Sequence, residues 1–216
     1  MTRQERKEAN KRAKEKDKAF DEALKTVGKT LGFKSILAIP YKFIDDFVYE
    51  THISANLIDA NLLATVYFKP LILDRVYWEA MGISETAQKQ PKSFHVKGAF
   101  SANTMYVCHF DCGAYEKIED AERLASEILN EAQKRIDLFR EEVYDLPTFA
   151  QYLSKQNKPY LKNNKILTFI ALGEYEKAIA LADEAIKNDK AGLGAGFWTI
   201  VEYARAYANS LVSRKS

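Results

Sequence analysis

The three histidines are the residues best suited to chemistry, because imidazole binds metals and exchanges protons near neutral pH. His52 and His95 fall in stretches whose alternating apolar and polar residues predict β-strands, and His109 falls in a run of residues that favour strands. Glu50 and Lys97 share a strand face with His52 and His95, since side chains two residues apart point the same way. Neighbouring strands in register would bring the histidines into one metal or acid–base site. The alternative, which we favour, is three separate histidines on a solvated face.

The two cysteines flank one of these histidines, in the order Cys108, His109, Cys112. A zinc site usually has four Cys or His ligands, and this chain has no second cysteine pair. Free cysteine is among the residue types most often buried. We therefore expect buried thiols, no bound metal and no cofactor.

Other catalytic motifs are missing from the sequence. It contains no Gly-x-Ser-x-Gly elbow, which anchors many serine hydrolases. The carboxylate pairs Asp45–Asp46 and Glu141–Glu142 are adjacent in sequence, so their side chains point to different sides and do not form an acid–base pair. The sequence assigns no catalytic residue and favours a protein that is not an enzyme.

Hydrophobic periodicity predicts an α+β fold. Residues 20–31 and 117–143 carry apolar residues at spacings of three and four, which predict amphipathic helices. The segment 33–112 between them alternates with a period of two, which predicts an antiparallel sheet of about five strands covered by the second helix. The register expected to face that helix is Phe47, Tyr49 and Ile53; Leu62, Val66 and Phe68; and Phe94, Val96 and Phe100.

The same periodicity suggests three regions. A charged N-terminal helix occupies 1–32, the sheet with its covering helices occupies 33–145, and an all-helical appendage occupies 146–216. Helices are predicted at about 70–81 in the second region, and at 160–171, 174–188 and 196–212 in the appendage.

One motif in the appendage carries a resemblance to a known family. The run from Gly173 through Tyr175 to Ala178, continued by Ala182 and Ala185, resembles the second helix of a tetratricopeptide hairpin. That resemblance implies a helical surface that binds another protein.

Two tyrosines of the last predicted helix are candidate binding residues on that surface. Tyr203 and Tyr207 are four residues apart and therefore share a helix face. Tyrosine is one of the commonest anchors of protein interfaces.

A second resemblance concerns the N-terminal half. Phe20, Leu24 and the run Leu31-Gly32-Phe33, followed by meandering strands, resemble a class of uncharacterised bacterial α+β proteins. Some relatives of that class lie beside toxins as suspected immunity proteins. The resemblance implies a bacterial protein whose partner is a toxin.

Charge and hydropathy argue against several classes of partner. The chain has 32 Lys and Arg against 30 Asp and Glu, and a local excess of 10 against 6 in residues 1–30. Residues 1–18 contain no aromatic side chain, which disfavours nucleic-acid binding. The sequence contains no apolar run of about 18 residues, so we expect no membrane span and a cytoplasmic protein.

Two functional hypotheses remain. The first is a protein that grips another protein, or a second copy of itself, through Tyr203 and Tyr207. The alternative is a small enzyme or ligand-binding protein whose polar sheet face presents His52, His95, Tyr67 and Lys97. Convergence of the histidines in a concave site would favour the alternative.

Overall fold

The computed structural model of the chain describes residues 2–55, 61–98, 101–188 and 195–214. Its single described sheet is antiparallel, and the five strands lie side by side in sequence order. The strands are β1 (Lys34–Ile36), β2 (Ile39–Ile44), β3 (Phe47–Ala55), β4 (Asn61–Pro70) and β5 (Met105–Ala114). The predicted α+β class and the predicted number of strands are confirmed.

Helices precede, interrupt and follow the strands. They are α1 (Arg3–Thr30), α2 (Leu71–Ala80), α3 (Ser84–Gln88), α4 (Phe94–Lys97), α5 (Ala121–Arg140), α6 (Leu146–Ser154), α7 (Lys162–Ala171), α8 (Tyr175–Asn188) and α9 (Ala195–Ser213). Within the described ranges, no helix is both long and apolar enough to cross a membrane.

Contacts divide the chain into two compact units, each assembled from separated segments. Unit 1 comprises Met1–Ile44, Tyr49–Phe68 and Tyr106–Phe139, and unit 2 comprises Asp45–Val48, Lys69–Met105 and Arg140–Ser216. The stretch from Lys69 to Met105, which the sequence analysis placed with the sheet, thus groups with the C-terminal helices. Within unit 2, helices α2, α7 and α9 contact one another, and α8 packs on α7 and α9.

The core of unit 1 is built around α5. Its apolar stripe, spaced by three and four residues, is almost completely buried: Ala125, Ile128, Leu129, Ala132 and Ile136. From β4, Phe68 lies 4.5 Å from Phe139 of α5 and 6.1 Å from Tyr49 of β3, measured between ring centroids. The prediction that Phe68 faces the covering helix is therefore confirmed.

Only the C-terminal half of α1 is docked. Its buried residues are Phe20, Ala23, Leu24 and Gly28. Contact begins at Lys16, whose Nζ donates to the carbonyl oxygen of Tyr115 at 2.7 Å, while the Tyr115 hydroxyl donates to the Lys16 carbonyl at 3.1 Å. Residues 2–15 are exposed.

The predicted strand near residues 93–100 is wrong, because Phe94–Lys97 forms helix α4. The rings of Phe94 and His95 both contact the indole of Trp78, at 5.7 and 4.8 Å between centroids. Adjacent side chains of a strand point to opposite faces and could not both reach one ring, whereas a helical turn permits it. Phe100, predicted to continue the strand, lies outside the described residues.

Residues 34–44 form a hairpin of two short strands. β1 and β2 are joined by Leu37 and Ala38, which lie between the paired Ile36 and Ile39. Both turn residues have positive φ, 48° and 63°. Two-residue hairpins of this handedness usually contain Asn or Gly, so Leu-Ala gives no turn signal in the sequence.

The stripe on α5 yields a stability prediction. Ile128 is 1% exposed, so Ile128→Asp buries an unpaired carboxylate, and we expect a loss of several kcal/mol in the free energy of unfolding. Leu138→Asp is the matched control, because Leu138 is on the same helix and 59% exposed. Urea unfolding of both variants measures the difference; equal losses would contradict the packing of α5.

A second prediction concerns α1. Deleting residues 2–14 removes exposed side chains only, so the melting temperature should stay close to that of the full chain. Deleting residues 2–27 also removes Phe20 and Leu24 from the core and should unfold unit 1. The measurement is thermal unfolding by circular dichroism. A large loss from the shorter deletion would show that the charged half contributes to folding.

Candidate functional site

A fully buried ion pair lies at the junction of β4 and α2. Lys69, the penultimate residue of β4, and Asp74, in the first turn of α2, are both 0% exposed. The Lys69 Nζ is 2.9 Å from the Asp74 Oδ1. Removing two charges from water costs several kcal/mol per ion, so such a pair needs further hydrogen bonds to be tolerated.

Those further hydrogen bonds come from two segments. Lys69 Nζ also donates to the Ser101 hydroxyl and to the carbonyl oxygen of Ala102. Asp74 Oδ1 accepts the Ala102 backbone N–H at 2.6 Å, and Oδ2 lies 2.7 Å from His95 Nδ1. We call Lys69, Asp74, His95, Ser101 and Ala102 the buried network.

The network determines the orientation of His95. Because an ionised carboxylate only accepts hydrogen bonds, Nδ1 must be the donor to Asp74. The other side of the ring is tilted against Trp78 of α2. His95 lines a cavity of about 360 Å³ together with Arg75, Trp78, Ala87, Gln88, Gln90, Pro91 and Lys92.

Sequence reasoning missed both buried ions, although a signal was present. Lys69 comes directly after the alternating apolar residues of β4. Pro70 occupies the N-cap position of α2, and within that helix Asp74 is close in sequence to Leu73, Val76 and other apolar residues. A lone cation and a lone anion five residues apart, each in an apolar setting, indicate mutual pairing. A carboxylate in the first turn is also favoured by the helix dipole.

A second set of functional side chains lies in unit 1, on the sheet face opposite Phe68. The His52 ring is 4.9 Å from Tyr67, which is 6.4 Å from Tyr106, and the Tyr106 hydroxyl is 2.5 Å from His109 Nδ1. The Glu50 carboxylate Oε2 is 2.9 Å from His52 Nε2. We call these five residues the sheet-face cluster.

The cluster is buried at one end and open at the other. Glu50 is buried, and its Oε1 has no hydrogen-bond partner among the residues the structure describes. The His52 side chain is 42% exposed, and Tyr106 is 38% exposed. Glu50 is therefore hydrogen-bonded to His52 on its buried side, while the aromatic rings form the accessible surface.

Tyr106 joins the cluster because of an irregularity in β5. Tyr106 and His109 are three residues apart, yet both are exposed and their side chains meet. Between Tyr106 and His109, the alternation of exposed and less exposed residues shifts by one position. A β-bulge has this effect, because its extra residue turns a side chain to the opposite face of the sheet. Strict alternation places the two residues on opposite faces, so sequence reasoning missed Tyr106.

The predicted polar sheet face is thus assembled only in part. His52 and Tyr67 lie together, and His109 joins them through Tyr106. His95 is not in the sheet but in α4, where it belongs to the buried network. Lys97 is exposed on the same short helix. Convergence of all three histidines on one sheet face is therefore wrong.

The two predicted tyrosines of α9 have different surroundings. Tyr203 is 43% exposed, whereas the Tyr207 hydroxyl donates to Glu79 Oε2 at 2.6 Å. Burial and this hydrogen bond raise the pKa of Tyr207 to about 12. Tyr207 connects α9 to α2 through this hydrogen bond. Of the two tyrosines predicted to bind a partner, Tyr203 is therefore the one that remains available.

Both cysteines are partly buried. Burial raises the pKa of Cys112 to about 11 and also raises that of Cys108. A thiol that stays protonated at neutral pH is a poor nucleophile and a poor metal ligand. No three His, Cys, Asp or Glu side chains of the described ranges are grouped so that they could hold a metal ion. The expectation of a metal-free protein stays a prediction.

The buried network predicts strong coupling between its charges. Lys69→Met or Asp74→Asn alone removes one partner of the buried pair and should cost about 3–5 kcal/mol of unfolding free energy. The double variant should cost less than the sum of the two, because it leaves no uncompensated charge. Urea unfolding of the four proteins measures this coupling, with Lys97→Met as the exposed control.

If the double variant lost as much unfolding free energy as the two single variants together, pairing of Lys69 with Asp74 would be contradicted. Single variants whose stability matches that of Lys97→Met would contradict it as well.

Comparison with known proteins identifies no relatives. No protein-family model, curated protein or solved structure matches the chain.

Proposed function

We propose that the protein is a non-enzymatic binding protein that holds another protein through the sheet-face cluster. The observation that carries this proposal is a row of half-exposed aromatic rings in mutual contact, from His52 through Tyr67 to Tyr106. Tyrosine supplies a large contact area with few rotatable bonds, and it is enriched at the energetic centres of protein interfaces.

The polar groups of the cluster lower the cost of covering it. His52 is already hydrogen-bonded to Glu50, and the Tyr106 hydroxyl is already bonded to His109. A partner that excludes water from these atoms leaves those hydrogen bonds intact, so the desolvation penalty is small. The ring contacts also restrict the rotamers before binding, which lowers the entropy cost of association.

A second candidate function is supported by the Glu50–His52 pair. A carboxylate that orients an imidazole is the arrangement of a general base, and this corresponds to the enzyme or ligand-binding alternative. The exposure of His52 and Tyr106 favours the first proposal, since reaction sites usually exclude water around the reacting groups.

The finer form of the proposal, suggested by the resemblance to immunity proteins, is that the partner is a toxin. Tyr203, exposed on α9, is a candidate for a separate contact on unit 2. Its removal should leave binding at the sheet-face cluster unchanged if that cluster is the main interface.

The test compares two exposed tyrosines. Tyr106→Ala should remove the partner that co-purifies with the tagged protein from an extract of its native cells, because loss of an interface anchor costs about 2 kcal/mol or more. Tyr144→Ala is the matched control, since Tyr144 is 59% exposed and not part of the cluster. The purified partner is then titrated against both variants by calorimetry.

Equal affinity of the two variants would contradict the proposal. If sedimentation shows self-association that is lost in Tyr106→Ala, the partner at the sheet-face cluster is a second copy of this chain and not a different protein. Turnover of a substrate that is lost in His52→Gln would favour the enzyme alternative.

A further inference from the structure

The cavity beside His95 has a composition of its own. Two helices and a turn surround it: α2 contributes Arg75 and Trp78, α3 ends at Gln88, and the turn into α4 contributes Lys92. Its volume of about 360 Å³ falls within the usual range of small-molecule sites.

The ionisable residues that line this cavity are all of the basic type. Arg75, Lys92 and His95 are its ionisable lining residues, and no carboxylate of the described residues lines it. In the whole chain, by contrast, 32 Lys and Arg are balanced by 30 Asp and Glu. The nearest acid in the network, Asp74, lies behind His95 and is neutralised by Lys69. Arg75 also borders a second cavity, lined among others by Asp45, Asp46 and Asp145.

One cation is available to a ligand. Arg75 is exposed and forms no ion pair with any residue that the structure describes. Its guanidinium presents a planar fork of N–H donors, which matches the oxygens of a carboxylate or phosphate. Gln88 and Gln90 add amide groups to the same lining.

The buried network gives this cavity a rigid wall. His95 is held by Asp74, which is in turn held by Lys69 and by the Ala102 backbone N–H. Since each of these partners is buried, the imidazole keeps its position without any ligand. A site whose groups are already oriented loses less entropy when it binds.

We propose that this cavity is a binding site for a small organic anion, a metabolite bearing a phosphate or carboxylate group. Arg75 binds the anionic group, Lys92 supplies further positive charge, and His95 forms part of the cavity wall. The site is in unit 2 and uses none of the sheet-face cluster, so it is independent of the protein-binding function proposed above.

The experiment titrates the full chain with inorganic phosphate and, separately, with acetate, at ionic strength held constant with sodium chloride. Binding is followed by amide chemical shifts. Saturable shifts are expected for residues of α2 and α3. Arg75→Gln should weaken binding about tenfold, which corresponds to about 1.4 kcal/mol. Lys97→Gln, which removes an exposed cation of α4 outside the cavity lining, should leave it unchanged.

If only phosphate gives saturable shifts, the natural ligand is assigned as a phosphate ester. If only acetate does, the ligand is assigned as a carboxylate. Linear shifts with both anions would overturn the proposal. Equal weakening by Arg75→Gln and Lys97→Gln would also overturn it, because binding would then reflect general surface charge. Arg75 is exposed, so Arg75→Gln is expected to keep the fold, and its effect on binding decides the question.

Discussion

The organisation of unit 2 depends on the requirement that a buried ammonium and a buried carboxylate be completely hydrogen-bonded. Lys69 and Asp74 come from consecutive elements, but together they leave donors and acceptors that only distant chain can satisfy. The Ala102 backbone closes the network from one side and His95 from the other. This requirement explains why the segment carrying His95 lies against α2 as a helical turn instead of extending the sheet.

The parts of the fold that were predictable are those governed by local hydrophobic periodicity. The stripe on α5, the docked half of α1 and the C-terminal helices each follow from the spacing of apolar residues along one segment. Prediction failed where a distant partner decides the local structure. The alternation of residues 93–100 indicates a strand, but contacts of Phe94 and His95 with Trp78 require a helix. Similarly, the phase change that brings Tyr106 to His109 depends on strand pairing, which no local pattern encodes.

The two candidate sites differ in how their polar atoms are used. In the sheet-face cluster, His52 is bonded to Glu50 and the Tyr106 hydroxyl to His109, so the surface offers mainly aromatic area. In the cavity beside His95, the buried atoms are satisfied, while Arg75 at the rim has no ionic partner among described residues. The first arrangement suits a large surface that excludes water, and the second suits a small charged ligand. His52 and His95, similar in sequence context, thus lie in different surroundings.

The interleaving of the two units has a consequence for biosynthesis. Unit 1 needs the segment Tyr106–Phe139 to supply β5 and α5, and unit 2 draws on chain from Asp45 to the C-terminal helices. As the chain leaves the ribosome, β3 and β4 emerge well before the helix that covers their apolar face. Until β5 emerges, the outer edge of β4 is unpaired, and such an edge is prone to pair with other chains. Unit 1 can therefore complete its sheet and its core only after the segment Tyr106–Phe139 has been made.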